Sequence, residues 1–131
     1  MARRQSAHPT ELELQILKIL WQRSPQPVRE IRQTLAESGR DLAHTTVITT
    51  LGVMVDKKYV RRKRVANAFL FEPRVSQEAT SEKMVNDLVD RVFDGSPSAL
   101  MASLFNASDL DPEELKQLRR LINRKAKEES Q

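Results

Sequence analysis

The stretch LAHTTVITTLGVMVDKKYV, residues 42–60, decides the fold, because its residue types and its spacing predict different structures. Every residue between Thr45 and Thr50 is β-branched, which lowers helix propensity and favours a strand. The apolar residues do not alternate with polar ones, however, as a half-buried strand requires. They follow the 3.6-residue period of a helix, at Val47, Leu51, Met54 and Val55. The stretch therefore predicts an amphipathic helix that begins at about His44 and turns a threonine-rich face away from the core.

Two shorter helices are predicted before this segment. Thr10 and Glu13 form a capping-box pattern at the start of the first helix, which ends at the prolines of RSPQP, residues 23–27. The second helix begins at Val28 and ends at Gly39, since glycine is the residue that most often caps a helix C-terminus. The short connection from the second helix to the third predicts a helix-turn-helix.

The pattern changes to that of a hairpin after the third helix. Residues 59–64, YVRRKR, and residues 68–72, AFLFE, predict two strands. We expect the turn between them at residues 65–67, where Asn67 tolerates positive φ and supplies the bend. Three helices followed by a hairpin are the order of a winged helix. Residues 1–75 are therefore predicted to form a winged helix-turn-helix domain, in a chain that is mainly α with a small β-hairpin.

Residues 76–131 predict a second, helical domain. Ser76, Ser96 and Asp111 have the positions of N-caps, and a proline follows each of the last two at the first helical position. The apolar faces of these helices are too extensive for about 55 residues to bury alone, so we expect a homodimer formed through this domain. The expected dimerisation residues are Val85, Leu88, Val92, Leu104, Leu115, Leu118 and Ile122.

Charge is divided unevenly between the two predicted domains. Residues 1–75 contain 14 Lys and Arg against 7 Asp and Glu, whereas residues 76–131 contain 8 against 11. A basic domain joined to an acidic one is typical of a module that binds a polyanion and a module for assembly or regulation. The run KKYVRRKR, residues 57–64, places much of the positive charge directly after the threonine-rich helix.

This combination predicts a DNA-binding surface. A helix that enters the major groove needs short side chains, and threonine offers a hydroxyl for phosphates or base edges and a methyl for the thymine methyl. The basic hairpin would meet phosphates and the minor groove. The expected DNA-binding residues are Thr45, Thr46, Ile48, Thr49, Lys57, Arg61, Arg62 and Arg64. Two alternatives stay open: a merely solvated surface, and a protein-interaction module whose basic wing docks an acidic partner.

Nothing in the sequence indicates catalysis. The chain has no cysteine, its three glycines form no phosphate-binding loop, and no carboxylate pair stands near a histidine. We therefore expect no catalytic residue, metal or cofactor, although a small-ligand pocket between dimer helices stays open. Because no apolar run approaches about 20 residues and the start lacks the apolar core of a signal peptide, a cytoplasmic protein that is not membrane-inserted is expected.

Several segments resemble the penicillinase repressor (BlaI/MecI) family of bacterial transcriptional regulators. They are ELELQILKILW, VREIRQTL, AHTTVITTL with VDKKYVRRKR, AFLFEPRVS and DLDPEELKQLRRLI. The resemblance covers residues 10–125. It implies a homodimeric repressor with an N-terminal winged helix and a C-terminal dimerisation domain, bound to a palindromic double-stranded DNA operator. It places DNA contacts in the same threonine-rich helix and basic strand.

The resemblance also implies a membrane sensor metalloprotease as a partner, which relieves repression by causing cleavage in the C-terminal domain. The family is typically cut at Asn-Phe, and alignment through DLDPEEL places different residues there. The expected cleavage region is Ser103, Leu104, Phe105 and Asn106, and whether it is cut stays open. Family members also often have a basic residue at the position of Val53 and a glycine at that of Lys58, so the base preference of this chain need not match theirs.

Overall fold

The structure, a computed structural model, describes residues 8–130. Residues 1–7 and 131, which belong to the two predicted domains, lie outside the described residues. The elements in chain order are α1 (Glu11–Gln22), β1 (Gln26–Pro27), α2 (Val28–Glu37), α3 (His44–Asp56), β2 (Val60–Val65), β3 (Ala68–Pro73), α4 (Gln77–Val92), α5 (Pro97–Ala107) and α6 (Pro112–Glu129). The predicted fold class, mainly helical with a small antiparallel sheet after the third helix, is confirmed.

The chain divides into two compact units between Asp87 and Leu88. This division falls inside α4, whereas the sequence places the domain boundary between residues 75 and 76. The 75/76 boundary stays a prediction.

The helix caps follow the local sequence. At the start of α1 the Thr10 hydroxyl accepts a hydrogen bond from the Glu13 N–H at 3.2 Å, and the Glu13 carboxylate accepts one from the Thr10 N–H at 2.8 Å. The predicted capping box is therefore confirmed. Ser96 and Asp111 also cap α5 and α6 as predicted, with side chains that accept N–H groups of the first turn. Gly39, with a φ of 95°, follows the end of α2.

The core of the first unit lies between α1, α2, α3 and the sheet. Its fully buried side chains are Ile16, Leu17, Leu20, Ile31, Leu35, Val47, Leu51, Met54 and Val60. Three of these belong to α3, where the helical period prevails over the strand propensity of the threonines. Burying each large apolar side chain contributes about 1.5–3 kcal/mol, whereas propensities differ by only about 0.7 kcal/mol per residue, so burial decides.

The sheet has three antiparallel strands in the order β1-β3-β2. The predicted hairpin forms β2 and β3, in a register that pairs Arg62 with Phe71 and Arg64 with Phe69. Strand β1 is an addition that the sequence analysis did not predict. It consists of Gln26 and Pro27, and the proline fits because β1 lies at the edge of the sheet.

The hairpin turn corrects the prediction for Asn67. Val65 pairs with Ala68, so the loop has two residues, Ala66 and Asn67. The positive φ, 55°, belongs to Ala66 rather than to Asn67. A positive φ at the first central residue is typical of a type II′ turn. Because the register fixes Ala66 as that first residue, the positive φ falls on Ala66.

The second unit has little interior of its own. Among residues 88–130 only Val89 is buried. Many of its large apolar side chains are exposed, namely Leu88, Val92, Leu104, Phe105, Leu115, Leu121 and Ile122. None of the helices in the described part of the chain is long and apolar enough to cross a membrane.

Candidate nucleic-acid interface

Helix α3 presents short side chains on the surface opposite its buried stripe. The exposed residues here include four of the predicted DNA-binding residues, Thr45, Thr46, Ile48 and Thr49. The side chains available to a ligand are therefore hydroxyls and methyls. Gly52 follows on the same side by helical spacing, and a Cβ atom built on it meets nothing within 4 Å. A ligand can approach the backbone of α3 closely along this face.

The N-terminus of α3 has no side-chain cap. Ala43 occupies the N-cap position, and its methyl group accepts no hydrogen bond. The Ala43 carbonyl accepts the N–H groups of Thr46 at 3.1 Å and Val47 at 3.2 Å. The first N–H groups of the helix, at His44 and Thr45, lack partners within the helix and lie at the positive end of its dipole. This geometry suits a phosphate.

The β2–β3 hairpin presents basic residues on both of its faces. Strand alternation places Arg62 and Arg64 on one face and Arg61 and Lys63 on the other, and all four are exposed. Arg61 lies opposite Glu72 on the neighbouring strand, with its Nη1 atom 3.6 Å from the Glu72 Oε1 atom. The charge of Arg61 is thereby partly balanced, while Arg62 and Arg64 lie beside an aromatic ring.

That ring is Phe69, which sequence analysis did not single out. The guanidinium carbons of Arg62 and Arg64 lie 4.9 Å and 5.7 Å from the centre of the Phe69 ring. Both distances fall within the range of a cation–π interaction. The signal available in the sequence was the hairpin register, because a two-residue turn places Phe69 directly opposite Arg64.

Lys57, another predicted DNA-binding residue, is held by an ion pair. Its Nζ atom lies 3.1 Å and 3.0 Å from the two carboxylate oxygens of Glu13, which is only 3% exposed. The pair joins the end of α3 to the start of α1. Burial raises the pKa of the nearby Tyr59 hydroxyl, an effect that the charge of Lys57 opposes and that of Glu13 reinforces. The ammonium group of Lys57 thus already has a partner in Glu13. A DNA contact by Lys57 stays a prediction.

The other predicted site residues lie in α4, α5 and α6. All of the predicted dimerisation residues are exposed except Leu118, which is half-buried. The predicted cleavage region, residues 103–106, lies inside α5. A helical segment must open locally before a protease can bind it in an extended form. Within residues 8–130, no group of three or more His, Asp or Glu side chains is arranged to hold a metal ion.

Helices α2 and α3 form a helix-turn-helix, and α3 carries short side chains next to a basic hairpin. This combination defines the class of winged-helix DNA-binding proteins. The family model described as "Penicillinase repressor" matches residues 9–124. The chain therefore belongs to the penicillinase repressor family, which confirms the resemblance seen in the sequence.

Relatives with established names agree with this family. The methicillin resistance regulatory protein MecI of Mammaliicoccus sciuri is 21% identical over 113 residues, which cover 86% of this chain and 91% of the relative. MecI of Staphylococcus aureus strain N315 is 20% identical over the same shares. The transcriptional regulator BlaI of Mycobacterium tuberculosis is 33% identical over 93 residues, which cover 70% of this chain and 67% of the relative. The chain is thus a transcriptional repressor of the BlaI/MecI type and not an enzyme.

Proposed function

We propose that this repressor binds a palindromic operator as a homodimer, with α3 in the major groove and the β2–β3 hairpin on the DNA backbone. The observation that carries the proposal is the exposed face of α3, where hydroxyls and methyls stand beside an uncapped helix N-terminus. Such a face lets the helix lie deep in the groove. The basic hairpin that follows supplies the positive charge for the phosphates.

The two parts of the interface divide affinity and specificity between them. Phosphate contacts act on any duplex and make binding depend on salt, with a slope of about −0.9 for each phosphate neutralised. Base-edge contacts by the threonines discriminate between sequences. Arg62→Ala with Arg64→Ala should therefore weaken binding to every duplex and flatten the salt slope. Thr46→Ala should weaken binding to the operator alone, and equal losses on operator and random duplex would contradict its assigned role.

The apolar surface of the second unit supports the dimer. Helices α5 and α6 border an apolar groove of about 520 Å³ between Met101 and the side chains of Leu118, Leu121 and Ile122. A unit without a core of its own is stabilised when a second copy covers such a surface. A two-fold dimer then presents two α3 helices to half-sites about 10 base pairs apart, which makes the operator a palindrome.

Cleavage within α5 would act on this dimer. A cut between residues 103 and 106 separates α6 from the rest of the chain and divides the apolar groove. We therefore place relief of repression by a membrane sensor metalloprotease at this helix, in a repressor that works in the cytoplasm. Co-expression with a sensor gene that neighbours the repressor gene should produce two fragments split within α5 when the inducer is added. An intact chain under derepressing conditions would contradict proteolytic relief.

The operator can be identified by selecting bound duplexes from a random DNA pool with the full-length protein. The proposal predicts one enriched inverted repeat, bound by two chains. Enrichment of no sequence, together with binding of an acidic protein that Arg62→Ala and Arg64→Ala abolish, would favour the alternative in which the hairpin is a protein-docking surface.

A further inference from the structure

The aromatic ring of Phe69 is exposed although it belongs to a strand that contributes to the core. Phe71, two residues later on the same face of β3, is buried, whereas Phe69 is 47% exposed. The ring therefore does not serve to fill the core. Its neighbours within cation–π distance are Arg62 and Arg64, two of the exposed basic residues of the hairpin.

We propose that Phe69 is a positioning residue of the DNA-binding hairpin, which holds the guanidinium groups of Arg62 and Arg64 as a preformed pair for the phosphate backbone. The inference rests on the proposed function, and it assigns a role to a residue outside the expected contact set. A free arginine side chain loses rotamer freedom when it binds, and ordering it in advance lowers that cost.

The hairpin register explains why one ring can hold two arginines. Arg64 pairs directly with Phe69 across the strands, while Arg62 pairs with Phe71 and is the diagonal neighbour of Phe69. Long side chains reach both kinds of neighbour on one face of an antiparallel pair. The ring thus fixes two cations that stand two residues apart on β2.

A comparison with Arg61 shows why an aromatic ring suits this task. Arg61 is held by Glu72, whose carboxylate offsets its positive charge. Phe69 carries no net charge, so it orders Arg62 and Arg64 without cancelling their attraction to a polyanion. An ion pair on this face would order the side chains equally well, but it would weaken the interaction with phosphate.

The test is a double-mutant cycle on the full-length protein, with affinity measured on the selected operator and on a random duplex. Phe69→Leu keeps an apolar side chain and removes the aromatic ring. It should weaken binding to both duplexes by about threefold to tenfold. It should lower the unfolding temperature by only a few degrees, because the ring is half-exposed and lies outside the core, so the chain stays folded at the temperature of the binding assay. Phe69→Tyr should keep wild-type affinity. Val65→Ala, at another exposed apolar residue of the hairpin, is the matched control and should change nothing.

The decisive comparison is Phe69→Leu in a chain that also carries Arg62→Ala and Arg64→Ala. The proposal predicts that Phe69→Leu then has no further effect, since the side chains that it positions are gone. An equal loss in this background would show that the ring contacts DNA itself and would overturn the proposal, as would wild-type affinity of Phe69→Leu. If the wild-type chain binds no duplex, or if Arg62→Ala with Arg64→Ala leaves its affinity unchanged, the proposed function fails instead.

Discussion

At the scale of the residue, Gly52 is a position where the stability of the fold favours alanine and DNA binding favours glycine. Glycine destabilises a helix interior by about 1 kcal/mol relative to alanine, and a Cβ atom at this position meets nothing within 4 Å. The fold alone gives no reason for a glycine here. A partner that lies close to α3 does, because an added methyl group would stand between the helix and the base edges.

We therefore predict that Gly52→Ala raises the free energy of unfolding by about 1 kcal/mol and lowers operator affinity. Urea denaturation measures the first effect and a binding titration the second. Stabilisation together with unchanged operator affinity would place the DNA on another face of the molecule.

Lys58 is a second residue whose conformation is unusual for its type. It has a φ of 66° and follows the end of α3. Its N–H donates to the Val55 carbonyl at 3.0 Å, and the Tyr59 N–H donates to the Met54 carbonyl at 2.9 Å. These two bonds form a Schellman motif, in which glycine is the favoured residue because a Cβ atom is strained at positive φ.

Lys58→Gly is predicted to stabilise the protein by about 1 kcal/mol, since it removes this strain. Lys58→Ala is the matched control, because it removes the same charge and keeps the Cβ atom. Chemical denaturation of both variants distinguishes the two effects, and equal stability of the Gly and Ala variants would contradict the account. Positive φ at Ala66 could not be predicted from the sequence, because alanine does not favour that region. At Lys58 the residue type gave no signal either, and the only indication was the glycine that family members often have at this position.

At the scale of the element, local sequence signals were sufficient to predict the helices. The caps at Thr10, Ser96 and Asp111 depend on residues three positions away, so the sequence displays them directly. Strand β1 depends instead on pairing with β3, more than forty residues later, and two residues are too short to show a period. The pair between Glu13 and Lys57 likewise joins positions 44 residues apart. Sequence analysis therefore assigned Lys57 to DNA from its place in the basic run.

The Glu13–Lys57 pair predicts a coupling between α1 and α3. Lys57→Met leaves a buried carboxylate without its cation and should lower the free energy of unfolding by about 1–3 kcal/mol. Adding Glu13→Gln should restore part of this loss, because the unpaired charge is then gone. Denaturation of the two single variants and the double variant gives the coupling energy.

The same variants test the role of Lys57 in binding. If its ammonium group serves α1 rather than DNA, the double variant keeps operator affinity and the salt slope under conditions where it is folded. A salt slope reduced by about one in the double variant would show that Lys57 contacts a phosphate.

At the scale of the whole molecule, the second unit leaves a large part of its apolar surface exposed in the isolated chain. Leu121 and Ile122 are 52% and 54% exposed on α6, and both border the apolar groove. Leu121→Ser with Ile122→Ser is predicted to shift the protein from dimer to monomer and to lower operator affinity, because one half-site is then bound at a time. Analytical ultracentrifugation measures the mass.

Asn123→Ser, at the neighbouring exposed position of α6, is the control and should leave the dimer intact. A wild-type chain that stays monomeric at micromolar concentration would contradict the proposed assembly. Helical periodicity in the sequence predicted this apolar surface. Periodicity shows only that one face of a helix is apolar, and it does not show which helix packs beside it. The groove between α5 and α6 emerges only when the two helices are packed together.

The central claim is that α3 reads a specific DNA sequence, and the most direct measurement is the ratio of affinities for the selected operator and a scrambled duplex of equal length and composition. It should be made at physiological salt, where phosphate contacts alone do not discriminate. The account predicts that the operator is bound at least about a thousandfold more tightly, by two chains per duplex. Equal affinities for the two duplexes would contradict it.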